Sequence, residues 1–112
     1  MMMSKYKARK TVVEGIVFDS LKEAERFKFL KALERSGQIK DLVLQKEYEL
    51  IPKQRDENGK TIRKCSYFAD FTYFDNRTMK VIVEDVKGMK TEVYKLKSKL
   101  MLYRYGITIR EI

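Results

Sequence analysis

The chain has 112 residues, enough for one domain with a single core, and its 44% hydrophobic and 37% charged residues exclude a disordered chain. It has no histidine and one cysteine, Cys65, which excludes histidine-based acid–base chemistry and an internal disulfide and argues strongly against a zinc site. Any metal must therefore be a hard cation held by oxygen ligands, of the magnesium or manganese kind.

The net charge of +9 comes from 25 basic and 16 acidic residues, and much of it lies at the two ends. Residues 1–10 are predicted to form a flexible basic arm. Such an excess is typical of nucleic-acid binders, although a basic surface can also serve solubility alone. No apolar run reaches membrane-spanning length and no signal-peptide core is present, so we expect no membrane partner and a cytoplasmic location. The predicted nucleic-acid contacts are Lys5, Lys7, Arg9, Lys10, Gln45, Lys90, Lys95 and Lys99.

The first predicted elements are a small hairpin in residues 11–18 and a helix that begins at Asp19-Ser20. Ser20 and Glu23 have the spacing of a capping box, and Ser36-Gly37 has the composition of a helix end. An apolar stripe predicts which face of the helix is buried. Its members are Leu21, Ala24, Phe27, Leu30 and Leu33.

A strand is predicted over residues 41–51, where apolar and polar residues alternate, and Pro52 ends it. Asn58-Gly59 is a strong hairpin signal, and it leads into a strand that begins near Thr61. The alternation predicts one apolar face for the strand over 41–51. That face contains Leu42, Leu44, Tyr48 and Leu50.

Residues 67–88 are predicted to be two strands separated by a polar break at residues 75–78. A loop of two or four residues places Asp70 opposite Val83 and diagonal to Asp85, on the face that Lys87 shares. A three-residue loop separates the two acids instead. Gln45 shares the Asp70 face if the Asn58-Gly59 loop has two residues.

A second helix is predicted over residues 91–105, ended by Gly106, with Val93, Leu96, Leu100 and Tyr103 facing inward. The strand predicted over residues 107–112 then lies parallel to the strand over 79–87, because a helix connects the two. The predicted fold class is α/β, a single domain over 11–112. Its mixed sheet has about four strands, an antiparallel meander plus one parallel C-terminal strand, and is flanked by helices.

This constellation has the residue types that metal-assisted phosphodiester cleavage needs. Asp70 and Asp85 can hold magnesium, with the carbonyl of Val86 as a third ligand. Lys87 supplies a cation beside the phosphate, and Glu23 adds a further ligand or a water-positioning base. Two alternatives stay open: Glu23 serves only as a helix cap, and Asp85 and Lys87 form a plain surface ion pair. Glu84 points the opposite way, towards a helix, and Arg26 or Arg63 is its candidate partner.

Three blocks of the sequence carry a family resemblance. They are Phe18-Asp19-Ser20-Leu21-Lys22-Glu23-Ala24-Glu25-Arg26-Phe27, Tyr67-Phe68-Ala69-Asp70-Phe71 and Val83-Glu84-Asp85-Val86-Lys87-Gly88. Together they resemble the PD-(D/E)xK nuclease superfamily, with its restriction-endonuclease-like core, and most of all a phage-encoded branch of unassigned function. The resemblance covers nearly the whole chain, and in the second block Ala69 stands where the superfamily usually has proline.

The resemblance implies a magnesium- or manganese-dependent DNA endonuclease with Glu23, Asp70, Asp85 and Lys87 as catalytic residues. It also implies a homodimer that acts on branched or junction DNA in the host cytoplasm, without a small-molecule cofactor. The alternative is a non-catalytic nucleic-acid-binding domain that keeps the nuclease fold. A third hypothesis, a protein-interaction module of a phage assembly, predicts no salt-dependent DNA binding.

Overall fold

The computed structural model describes residues 10–86 and 89–112. The lysines and arginine of the predicted basic arm at positions 5, 7 and 9, and Lys87 with Gly88, lie outside these residues. The described elements, in chain order, are β1 (Thr11–Val13), β2 (Ile16–Phe18), α1 (Leu21–Arg35), β3 (Ile39–Ile51), β4 (Gln54–Arg55), β5 (Thr61–Ile62), β6 (Cys65–Asp75), β7 (Lys80–Asp85), α2 (Glu92–Tyr105) and β8 (Arg110–Glu111).

Four strands form the central sheet in the order β3-β6-β7-β8. The first three are antiparallel neighbours, and β8 runs parallel to β7, which confirms the predicted mixed sheet and crossover. The last strand is much shorter than predicted, because only residues 110 and 111 pair with β7. The predicted hairpin near the N-terminus is present as β1 and β2.

The two helices pack against the sheet through separate hydrophobic clusters. Residues of α1 belong to one cluster and residues of α2 to the other, so the sheet has an α1 face and an α2 face. The α1 cluster contains Phe18, Ala24, Phe27, Leu30, Ile39, Phe71 and Tyr73. The α2 cluster contains Tyr48, Leu50, Tyr67, Ala69, Val83, Tyr94, Met101 and Ile109.

The predicted helix boundaries are confirmed by the capping geometry. Ser20 Oγ accepts a hydrogen bond from the Glu23 backbone N–H at 3.0 Å, and Ser36 caps the other end of α1. Gly106 ends α2 in the left-handed conformation, with a φ of 67°. The α1 stripe is correct except for Leu21, the first residue of the helix, which is exposed.

The predicted inward face of α2 was wrong except for Leu100, which packs against the α2 cluster. Tyr94 and Met101 are buried against the sheet, whereas Val93, Leu96 and Tyr103 are exposed. Apolar residues occur all around α2, so its sequence alone offers more than one candidate face. The orientation is decided by the sheet, where Tyr94 and Met101 complete the α2 cluster.

The predicted single apolar face of β3 was also wrong. Leu42 and Leu44 contact the α1 cluster, whereas Tyr48 and Leu50 belong to the α2 cluster. The switch occurs around Gln45, whose φ of 53° lies in the left-handed region and interrupts the alternation of the strand. The neighbouring strand β6 changes face at the corresponding position, since Ala69 belongs to the α2 cluster and Phe71 to the α1 cluster.

The loop between β6 and β7 contains four residues, 76–79, because Asp75 pairs with Lys80. The loop has an even number of residues, as predicted for bringing Asp70 and Asp85 to one face, but the pairing of the two strands differs from the predicted one. Val83 faces Thr72 rather than Asp70, and the last pair is Phe71 with Glu84. Extending this register by one residue places Asp70 directly opposite Asp85 instead of diagonal to it.

Neither of the two described helices is long and apolar enough to cross a membrane.

Candidate active site

A cleft of about 750 Å³ lies where the N-terminal ends of both helices approach the ends of β6 and β7. The start of α1 contributes Glu23, the sheet contributes Asp70 and Asp85, and the residue after β7 is Val86. Lys97 lines the cleft from the second turn of α2. Four of the predicted site residues therefore line one cleft. The fifth, Lys87, follows Val86 in sequence and lies outside the described residues.

Asp70 is held at the point where the β6–β7 pairing stops. Its Oδ1 accepts a hydrogen bond from Gln45 Nε2 at 3.0 Å, and its Oδ2 accepts one from the Val86 backbone N–H at 2.8 Å. Burial raises the pKa of the Asp70 carboxyl, and the nearby Asp85 carboxyl raises it further, against the lowering effect of the Val86 N–H. The two carboxyl groups thus form a close acidic pair.

Asp85 is almost fully buried, and its Oδ2 accepts a hydrogen bond from the Tyr67 hydroxyl at 2.5 Å. Burial and this bond raise the pKa of Tyr67, so the phenol remains a proton donor to the carboxylate. Tyr67 was not among the predicted site residues. Positions 67 and 70 point to opposite faces in a regular strand, and the face switch brings them to one site.

Glu23 lies on the first turn of α1, and its carboxyl lines the cleft while its backbone N–H bonds to Ser20. Burial, followed by the charges of Asp70, Asp19 and Asp85, raises the pKa of the Glu23 carboxyl to about 7. Glu23 can therefore take part in the helix cap through its backbone N–H and still lie beside the Asp70–Asp85 pair.

Gln45 contacts Asp70 by a route that differs from the predicted one. The hairpin around Asn58-Gly59 has a five-residue loop, since Arg55 pairs with Thr61, and not a two-residue loop. A register shift between Glu49 and Ile51 compensates, so that Leu44 faces Phe71 and Lys46 faces Ala69 on either side of the Gln45–Asp70 contact. A left-handed glutamine costs free energy, and here its side chain bonds to Asp70.

Glu84, next to Asp85, is fully buried on the α1 face. Arg26 binds both of its oxygens, at 2.8 Å from Nε and 2.6 Å from Nη2, and the Tyr73 hydroxyl donates to Oε2 at 2.5 Å. Arg26 was one of the two predicted partners of Glu84. The network ties α1 to β7 one residue away from Asp85 and one helical turn away from Glu23.

The predicted basic contacts lie outside the cleft wherever the structure describes them. Lys10 pairs with Asp19 at 3.1 Å, Lys90 with Glu111 at 2.7 Å and Lys95 with Glu92 at 3.4 Å. Lys99 is exposed on α2. The cleft itself contains Lys22 and Lys97, which sequence reasoning did not select because their helical positions gave no sign of the cleft.

The cleft contains carboxylate oxygens, which are the donors that magnesium prefers. Within residues 10–86 and 89–112, no group of three or more acidic or thiol side chains is arranged to hold a metal by itself. Magnesium commonly takes one or two carboxylates and completes its shell with water and substrate phosphate. The Asp70–Asp85 pair fits this requirement, and Glu23 lies in the same cleft.

Fold and site together define an α/β protein with paired acidic side chains in an open cleft. A family model described as "Protein of unknown function (DUF1064)" matches residues 3–110, and the chain belongs to this family. No curated protein and no solved structure matches the chain.

The raised pKa of Glu23 predicts a pH-dependent effect of Glu23→Gln on stability in metal-free buffer. Between pH 4.5, the usual value, and about pH 7, the unfolded chain releases the Glu23 proton before the folded chain does. Wild-type protein therefore loses stability over this range, and Glu23→Gln does not. We expect the unfolding free energy of the variant, relative to wild type, to increase from pH 5 to pH 8 in urea titrations. Glu25→Gln on the exposed face of α1 is the control, and a pH-independent difference for Glu23→Gln would contradict the prediction.

Proposed function

We propose that the protein is a metal-dependent endonuclease that hydrolyses DNA phosphodiester bonds. The observation that carries the proposal is the pairing of Asp70 with Asp85 in an open cleft, where two strands diverge. Two carboxylates forced together are costly unless a cation or a proton compensates them. A bound magnesium or manganese ion would supply that charge and would activate water and stabilise the phosphate in the transition state.

Each residue of the cleft has a defined part in this proposal. Asp70 and Asp85 hold the metal, and Gln45 and the Val86 N–H orient the Asp70 carboxylate. Tyr67 orients the Asp85 carboxylate in the same way. Glu23, with its pKa near 7, accepts a proton from the attacking water or completes the metal ligands.

Further parts of the proposal rest on the resemblance to the PD-(D/E)xK nucleases. Lys87 then acts as the catalytic cation, and the carbonyl of Val86 is a third ligand. The same resemblance favours branched or junction DNA as substrate, and a phage-encoded enzyme that works in the host cytoplasm. A free cysteine is consistent with a reducing compartment.

The test is cleavage of linear, nicked, flapped and four-way-junction DNA in magnesium or manganese. We expect wild type to cut at least one of these substrates, and Asp70→Ala and Lys87→Ala to lose cleavage by about 10²-fold or more. Chelation of the metal must have the same effect. Undiminished cleavage by both variants would contradict the assignment of Asp70 and Lys87 as catalytic residues.

The second candidate is a nucleic-acid-binding domain without catalysis, favoured by the net charge of +9. The two candidate functions predict different effects of the Asp85→Ala substitution. A pure binder keeps or gains DNA affinity in Asp85→Ala, because removal of a carboxylate reduces repulsion of phosphate, and it cuts nothing.

We also propose a homodimer, for which the exposed face of α2 offers a surface. Leu96 and Tyr103 are 59% and 88% exposed, and their spacing of seven residues aligns them along one side of the helix. Glu92 at one end and Arg104 at the other favour an antiparallel arrangement of two α2 helices, in which opposite charges meet.

This surface predicts that Leu96→Asp yields a monomer, because a buried unpaired carboxylate opposes association. Leu102→Asp is the matched control, since Leu102 is 55% exposed on another side of α2. Light scattering coupled to size exclusion gives the mass of each variant. A dimer that survives Leu96→Asp, or dissociates equally in both variants, would rule out this interface.

A further inference from the structure

Phe68 is an exposed aromatic residue at the edge of the acidic cleft. It lies on β6 and pairs with Glu47 of β3, beyond the point where the β6–β7 pairing ends at Phe71 and Glu84, and its side chain is 54% exposed. Tyr67, Phe71 and Tyr73 on the same strand are buried. Single exposed apolar side chains are common on protein surfaces, so it is the position of this ring relative to the acidic cleft that suggests a use other than packing.

The exposed ring lines the acidic cleft. Val93, on the first turn of α2 and 63% exposed, lines it as well, and so does Lys97 one turn further along the helix. Glu23 and Asp85 are buried and Asp70 is half-buried, and we call these three acids the acidic floor of the cleft, whereas Phe68 and Val93 are exposed. The cleft thus combines an apolar edge, a cation and an acidic floor.

Hydrolysis of a phosphodiester bond needs the acidic floor but has no use for an exposed aromatic ring. A ring of this kind offers a stacking surface for a nucleobase, and stacking on aromatic side chains is how proteins commonly hold single strands. In a duplex the faces of the bases are covered by their neighbours. Only an unstacked nucleotide presents a free face to Phe68.

We propose that the cleft binds an unstacked nucleotide of a single DNA strand, with its base against Phe68 and its phosphate directed to the Asp70–Asp85 pair. This inference rests on the nucleic-acid substrate of the proposed function and narrows it to substrates with a single-stranded segment, such as flaps and forks. A cleft of about 750 Å³ lies within the range that accommodates small ligands of nucleotide size. Lys22 and Lys97 supply positive charge for the neighbouring phosphates.

The chain contains no tryptophan, so Phe68→Trp introduces a single fluorescent reporter at the proposed stacking position. We expect its emission to be quenched by a thymidine oligonucleotide in buffer that contains calcium in place of magnesium, so that a divalent cation compensates the carboxylates, and far less by a blunt duplex at equal phosphate concentration. Phe29→Trp is the matched control, because Phe29 is 51% exposed on α1 and does not line the cleft. Equal quenching of the two reporters would overturn the inference.

Affinity provides the second measurement. Phe68→Ala is expected to weaken single-strand binding by about 5- to 100-fold, as loss of one stacked base does, and Phe68→Tyr to retain it. Duplex affinity should change less than twofold in both variants. An equal loss of affinity for single-stranded and duplex DNA in Phe68→Ala would overturn the inference. It would also be overturned if Phe68→Ala changed the mass of the protein in solution and left its DNA affinity unchanged.

These results are separable from the fate of the nuclease assignment. Selective quenching by a single strand together with an inert wild type would reject the nuclease and keep the stacking site. Metal-dependent cleavage that requires Asp70, with Phe68→Ala cutting flapped and blunt DNA as wild type does, would reject the stacking site alone.

Discussion

Glu84→Ala is expected to destabilise the fold by about 3–5 kcal/mol, the cost of breaking a buried ion pair by removing one partner. Glu84 is fully buried, and its removal leaves the Arg26 guanidinium and the Tyr73 hydroxyl without their acceptor. Urea unfolding followed by circular dichroism measures the loss. Arg26→Ala should have an effect of similar size, because it leaves the Glu84 carboxylate buried without its cation.

The matched control is Lys28→Ala, which removes an exposed ion pair on the same helix. Lys28 and Glu25 lie 3.3 Å apart with both side chains more than half exposed, so the expected cost is at most about 1 kcal/mol. A Glu84→Ala variant as stable as the Lys28→Ala variant would show that the buried network does not hold α1 against β7. The positions of Glu23 and Asp85 would then need another explanation.

Asp70→Asn is expected to be more stable than wild type without metal and less stable than wild type when metal is added. Without metal the variant should be more stable than wild type, because it removes a carboxyl whose pKa is raised by burial and by Asp85. With magnesium or manganese at a hundredfold excess over the dissociation constant, wild type gains about 2.7 kcal/mol and the variant gains little. Thermal unfolding in chelator measures the stability difference without metal, and thermal unfolding with added metal measures the metal-induced gain.

Asp75→Asn is the control for this reversal. Asp75 is a buried aspartate on the same strand, but it bonds to Arg77 and does not line the cleft. We expect it to leave the metal-induced gain unchanged. A gain of equal size in wild type and Asp70→Asn would place the metal elsewhere on the protein.

The local signals in the sequence were sufficient for the helix boundaries and for the order of the strands in the central sheet. Ser20, Gly37 and Gly106 mark helix ends because their side chains or backbone angles satisfy the terminal peptide groups. The even loop after Asp75 was enough to bring Asp70 and Asp85 to one face. These features depend on neighbours in sequence, and they were predicted correctly.

The details that build the site depend on contacts between distant segments. Nothing local marks Gln45 as left-handed, since glutamine rarely adopts that conformation, yet this residue switches the face of β3 and reaches Asp70. Tyr67 joins Asp85 only because of the switch. The burial of Tyr94 in place of Val93 likewise follows from the shape of the sheet and not from the periodicity of α2.

The central claim is that Asp70 and Asp85 form the metal site of a nuclease. Its most direct test is the single-turnover cleavage rate of a flapped DNA substrate, with magnesium titrated against wild type, Asp70→Asn and Asp75→Asn. We expect saturable metal-dependent cleavage by wild type and by Asp75→Asn, and a rate about 10²- to 10³-fold lower for Asp70→Asn. Cleavage by Asp70→Asn at the wild-type rate, or by wild type in excess chelator, would contradict the account.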